Sequence, residues 1–131
     1  MSNRAAPMLF HGSSAVLKVG EVVLPAAQLG GEVCNFKGLS KPKVAYATAD
    51  LRDAMYFAWN AAWVSGGAEV SVYEVRALGR VKCRNISPRY ERRVARVEHQ
   101  CREGFEVISV VKRRNVVEGK IGACAKDFWE S

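Results

Sequence analysis

The chain lacks most of the features that assign a protein to a class at sight. It has no run of about 18 apolar residues, the length a membrane-spanning helix needs. The opening MSNRAAPMLF holds one arginine but no long apolar stretch followed by a cleavage-like site. It does not read as a secretory signal, and a cytoplasmic protein is expected. Cysteine is sparse and scattered: Cys34, Cys83, Cys101 and Cys124 include no C-x-x-C pair. Zinc sites draw on ligands at short spacing, so no metal is implied, and the cysteines are expected to be reduced and mostly packed in the core. There are only two histidines, His11 and His99, and no internal repeat or low-complexity segment.

Acid is scarce where base is abundant. Residues 1–78 hold 7 Lys and Arg against 6 Asp and Glu, whereas residues 79–131 hold 13 against 7. The stretch RVKCRNISPRYERRVAR (80–96) carries seven basic residues and one acid. Such a patch attracts polyanions through counterion release, which makes an acidic macromolecule, protein or nucleic acid, a candidate partner. The plainer alternative is a solvated basic face with no specific partner.

At 131 residues, about half of them hydrophobic, the chain suits one domain, 1–131, with no second core. Leu9-Phe10 reads as a short strand. Residues 13–43 have little periodicity and read as mostly loop with short extended pieces, a length that is uncommon without a job. KVAYAT (43–48) reads as a strand and DLRDAMYFAWNAAWVSGG (50–67) as a helix. Asp50 suits its N-cap, Leu51, Ala54, Met55, Ala58 and Ala62 make one apolar face, and Gly66-Gly67 ends it. EVSVYEVR (69–76) alternates as a strand does, and GRVKCRNI (79–86) reads as its continuation after a bend at Gly79. SPRYERRVARVEHQC (87–101) has a cap in Ser87, Pro88 at the first helical position, and Tyr90, Val94, Val97 and Cys101 at helical spacing, so a second helix is expected there. Residues 105–119 read as strand, tight turn and strand; in the poorly patterned tail, Phe128 and Trp129 are expected to pack back on the body. The fold class is α+β.

Three places carry candidate chemistry. His11-Gly12-Ser13 follows the first strand: glycine lets backbone groups approach a flat ligand, and the imidazole can donate a hydrogen bond to a sugar hydroxyl. Tyr46 ends a strand just ahead of a helix, where a phenol ring can stack on a heteroaromatic ring. Tyr56, with Phe57 beside it, can close the other side of such a ring. Each alone is equally well a turn, a half-buried strand tyrosine or core packing. His99 is expected to face solvent and is given no role.

In combination, HGSSAVLKVGEVVLP (11–25), KVAYATADLRDA (43–54), VYEVRALG (72–79) and CREGFEVISVV (101–111) resemble the ADP-ribosyltransferase superfamily of the H-Y-E type, most nearly the small rifamycin ADP-ribosyltransferases. The resemblance covers roughly residues 8–111, specifically in its first half and loosely in its second. It implies two small antiparallel or mixed sheets forming an NAD cleft, flanked by one or two helices. It also implies cleavage of the nicotinamide–ribose bond of NAD, used as a substrate without any metal, with transfer of ADP-ribose to an acceptor. By the same carry-over His11 holds an adenosine-ribose hydroxyl, the Gly12 backbone pairs with the nicotinamide amide, Ser13 adjoins them, and Tyr46 stacks on nicotinamide with help from Tyr56. The catalytic residues it implies are His11, Tyr46 and an acid.

The acid is where the chain departs from the pattern. The relatives carry an aspartate after the strand–turn that VYEVRALG matches, and here that stretch is the basic RVKCRN (80–85). Glu103, ahead of the closing strand, is the substitute expected, with Glu106 second. Two functions follow: a mono-ADP-ribosyltransferase acting on a protein, nucleic acid or small molecule, or an inactive relative of that fold that binds NAD, nucleic acid or a protein through its basic half. A third, an NAD-dependent enzyme removing an RNA 2′-phosphate, needs a second basic domain for which the chain is too short.

Overall fold

A computed structural model describes residues 8–25, 43–65, 69–86, 96–115 and 125–130. The elements are β1 (Leu9–Ser13), β2 (Val22–Val23), β3 (Ala45–Ala47), α1 (Leu51–Ser65), β4 (Glu69–Ala77), β5 (Val81–Ile86), β6 (Arg96–Cys101), β7 (Phe105–Asn115) and α2 (Ala125–Glu130). They make two antiparallel sheets, one ordered β1-β4-β7-β2 and the other β3-β6-β5. The class is α+β, as the sequence implies.

β4 is the centre of the molecule because both of its faces are apolar. Val70 and Val72 face α1, where they pack with Phe10, Ala54, Ala58, Trp59, Ala62 and Phe128. Tyr73 and Val75 face the smaller sheet, where they pack with Ala45, Ala47, Cys101, Phe105 and Val107. Each fully buried side chain of this size stabilises the fold by about 1.5–3 kcal/mol, so a strand buried on two sides anchors both halves. The apolar face expected for α1 is the one buried, and Asp50 caps the helix, its Oδ1 accepting from Arg52 N (2.8 Å) and Asp53 N (3.1 Å). The tail returns as α2: Phe128 is buried, and the Trp129 indole donates to Met55 O at 2.9 Å.

Three expectations need correction. Residues 96–101 are strand β6, not helix; residues 87–95 of that expected helix lie outside the described residues. Val97 and Cys101 fit helical spacing, but residues 96–101 pair with β5 along their whole length and 99–101 with β3 as well, and as a strand this segment joins those two into one sheet with Cys101 in the core. Residues 81–86 do not continue β4 but cross to the other sheet, and 105–115 form one long strand without a turn. The turn expected within 105–119 has its remaining residues, 116–119, outside the described set.

The two sheets are stitched where β1 meets the end of β3. Phe10 N donates to Thr48 O (2.7 Å) and Thr48 N to Phe10 O (2.9 Å), a single bridge between strands of different sheets. One residue on, Gly12 lies against α1 so closely that a Cβ built there would collide with the Ala54 carbonyl and sit 2.7 Å from Ala58 N. Gly12 is thus required by packing, whatever else it does. Gly12→Ala must push α1 off β1. A loss of about 3 kcal/mol, the upper range for overpacking, and a Tm lower by roughly 10 °C are expected by calorimetry.

Candidate functional site

Beside that stitch the sheets diverge and leave a cleft of about 380 Å³, within the range of small-molecule sites. Five elements wall it: Phe10, His11 and Gly12 from β1; Tyr46, Ala47 and Thr48 from the end of β3; Asp53 and Phe57 from α1; Arg84 from β5; Val97 and Glu98 from β6.

His11 and Tyr46, far apart in sequence, are joined here. The His11 ring is half-buried, and its Nδ1 lies 2.9 Å from the Tyr46 carbonyl oxygen. A carbonyl only accepts, so Nδ1 carries the proton and the other ring nitrogen, Nε2, is left as an acceptor. Burial lowers the His11 pKa from its ordinary 6.5, outweighing the opposing pull of that backbone hydrogen bond. The ring is therefore neutral near pH 7. This revises the expected donor role: the other ring nitrogen, Nε2, can accept a hydrogen bond but has no proton to donate. The Tyr46 pKa is raised, first by burial, then by the Glu98 carboxylate, against the opposing charge of Arg84. Its phenol stays protonated at neutral pH.

Glu98 is the residue the sequence reading missed. It stands on β6 two residues from Gln100, the register partner of Tyr46, and opposite Arg84 of β5. Gln100 Nε2 donates to Glu98 Oε1 at 3.1 Å, holding the carboxylate on its strand. The available signal was the two-residue alternation of V-E-H-Q-C, which places Glu98 and Gln100 on one face and Val97, His99 and Cys101 on the other. The helix-like spacing of Val94, Val97 and Cys101 masked it.

The other expected residues lie elsewhere. Glu103 is in the turn after β6, its carboxylate against Gly79 and accepting from Cys101 Sγ at 3.3 Å, and it does not line the cleft. Glu106 is paired with Arg76. Ser13 Oγ accepts from Ala15 N at 2.9 Å and shapes the turn after β1. Tyr56 is exposed on α1 and does not line the cleft; its ring meets edge-on that of Phe57, which does. His99 is half-buried on β6, with Nδ1 3.5 Å from Cys83 Sγ, rather than in a solvent-facing helical turn. Cys101 is a core residue as expected, while Cys83 is exposed; Cys34 and Cys124 lie outside the described residues. No helix among the described residues is long and apolar enough to cross a membrane.

Comparison of the chain with protein-family models gives no match, and comparison with curated proteins gives none either. The functional reading therefore stands on the chemistry of the cleft.

The neutral state of His11 has a measurable consequence. Between the lowered native pKa and 6.5 the unfolded chain binds more protons than the folded one, so stability rises with pH across that window. His11 contributes its full share above about pH 6.5 and loses it as pH falls, with a slope of at most about 1.4 kcal/mol per pH unit. Urea unfolding from pH 5 to 8 should show this slope in the wild type and a shallower one in His11→Asn, which keeps a donor for the Tyr46 carbonyl but does not titrate.

Proposed function

We propose that the protein is an NAD-dependent mono-ADP-ribosyltransferase on the ADP-ribosyltransferase fold, with Glu98 rather than Glu103 as its acid. The observation that carries the reading is the convergence of an imidazole, a phenol and a carboxylate on one cleft from three strands: His11, Tyr46 and Glu98. The motif resemblance in the sequence names the first two. The third, Glu98, lines the same cleft from the strand that pairs with that of Tyr46, which supports giving it the role of the acid.

The chemistry follows from charge. When the bond between ribose C1′ and the nicotinamide nitrogen of NAD breaks, its electron pair returns to the pyridinium nitrogen and nicotinamide leaves neutral. The sugar is left as an oxocarbenium ion. An oxygen or nitrogen of the acceptor then bonds to C1′ and gives up its proton, if it has one, to solvent or to Glu98. Catalysis of this kind is positioning and electrostatics. A carboxylate about 4 Å from the developing cation, at the effective dielectric of a partly open site, contributes on the order of 4 kcal/mol, close to a thousandfold in rate.

The remaining walls have roles of the same sort. Tyr46 offers a ring face for nicotinamide, Phe57 a second aromatic wall from α1, and His11 Nε2 an acceptor for a ribose hydroxyl. Arg84 is the cation placed to meet the pyrophosphate, on the β5 stretch whose basic character displaced the usual acid. The case for an inactive binder rested on the missing acid, and Glu98 in the cleft weighs against it.

The deciding experiment is nicotinamide release from NAD by the purified protein. Release is expected, falling about 10²–10³-fold in Glu98→Gln and strongly in Tyr46→Ala, while Glu103→Gln keeps near wild-type rates. NAD binding with no release by the wild type would favour the inactive alternative, and loss in Glu103→Gln but not Glu98→Gln would reverse the assignment of the acid.

A further inference from the structure

β5 is the outer strand of the smaller sheet. It pairs with β6 on one side, in a continuous register from Val81↔Cys101 to Ile86↔Arg96 with no bulge, and with no described strand on the other. Every second residue of such a strand turns its N–H and C=O away from the sheet, so among the described residues β5 presents an open edge of about 20 Å. Bulges are a common way to blunt an edge, and the long β7 has them in its pairing with β4; β5 has none.

The side chains on this edge have a pattern. Lys82 and Arg84 share the face of Tyr46, Gln100 and Glu98, because register partners in an antiparallel pair lie on one side of the sheet. Arg80, just before the strand, is exposed, as are Lys82 and Arg84. Across from Lys82 stands Gln100, whose amide is engaged with Glu98. Arg80 and Lys82 form no ion pair among the described residues. The open edge and the cleft are continuous, since Arg84 belongs to both.

We infer that β5 is the docking strand for the acceptor, and that the acceptor is an acidic polypeptide segment bound in extended form as an added strand. The inference rests on the transferase reading for the word acceptor, but the docking surface itself does not. Backbone hydrogen bonds to β5 align the segment, and its acidic side chains face Lys82 and, just before the strand, Arg80, both outside the cleft. The next position along that face comes to the mouth of the cleft beside Arg84, the β5 residue that lines it. A polynucleotide meets the same charges but has no backbone amides to extend the ladder, which is why the regular open edge favours a polypeptide.

The test uses a fluorescent ten-residue peptide of alternating threonine and glutamate, titrated into the full chain without NAD. Saturable binding is expected. N-methylation of one alternate set of amides should weaken it at least tenfold, and of the other set should leave it intact, because an added strand uses only one of its edges. Lys82→Glu, at an exposed position outside the cleft, should weaken the peptide at least tenfold and gain affinity for the threonine–lysine counterpart. Equal affinity of both methylated peptides would overturn strand addition. Binding of a ten-residue oligothymidylate, lost in Lys82→Glu while the peptide fails to bind, would replace the polypeptide by nucleic acid. The two readings fail separately: nicotinamide release without peptide binding removes this docking strand and leaves the transferase, whereas register-selective peptide binding without nicotinamide release keeps the docking strand and removes the transferase.

Discussion

The cleft of this molecule depends on how β1 is held between α1 and the smaller sheet. The bridge between Phe10 and Thr48 is one pair of backbone hydrogen bonds, and the His11 side chain extends it by bonding the Tyr46 carbonyl. Those contacts fix the distance between two strands that belong to different sheets. On its other side β1 is pressed against the small-residue face of α1, with Gly12 over Ala54 and Ala58. A strand so confined cannot shift along its axis without breaking the bridge or striking the helix. The cleft is the space that opens just past the stitch.

The same contacts set the electrostatics. Donating Nδ1–H to a carbonyl selects one imidazole tautomer, and burial keeps that ring neutral. Tyr46 is held as a phenol by burial and by the carboxylate of Glu98. The cleft thus pairs a neutral hydrogen-bond acceptor and an aromatic face with a carboxylate opposed across the ladder by a guanidinium. Such a set suits a ligand that carries both anionic phosphate and a centre that becomes cationic as it reacts.

A second polar network pins the chain where it leaves β1, on the face of the larger sheet that Tyr73 shares with the smaller one. Tyr73, wholly buried, donates to Ala15 O at 2.6 Å and accepts from Leu17 N at 2.8 Å. Arg113 completes the arrangement, donating to Tyr73 Oη (3.2 Å), Leu17 O (3.1 Å) and Ser71 Oγ (3.0 Å). A buried hydroxyl is costly unless paired, and here it makes three hydrogen bonds, two of them to the residues that leave the H-G-S turn. Residues 15–17, just after β1, are therefore anchored by side chains from β4 and β7.

Local pattern determined much of this protein. Helix α1, its Asp50 cap and its buried alanine face, strands β1, β3 and β4, and the return of Phe128 all follow from periodicity and capping, which act between near neighbours in the chain. The pairing of His11 with Tyr46 was legible only through the family resemblance of the motifs. Tertiary structure alone decided the rest. Residues 96–101 satisfy helical and strand spacing about equally, and the choice is made by partners distant in the chain, β5 along the whole segment and β3 over 99–101. That choice carries Glu98 into the cleft and leaves Glu103 in a turn against Gly79. Gly12, read from sequence as room for a ligand, is equally room for a helix. Which acid faces which ring depends on contacts between residues distant in the chain, and no local pattern encodes them.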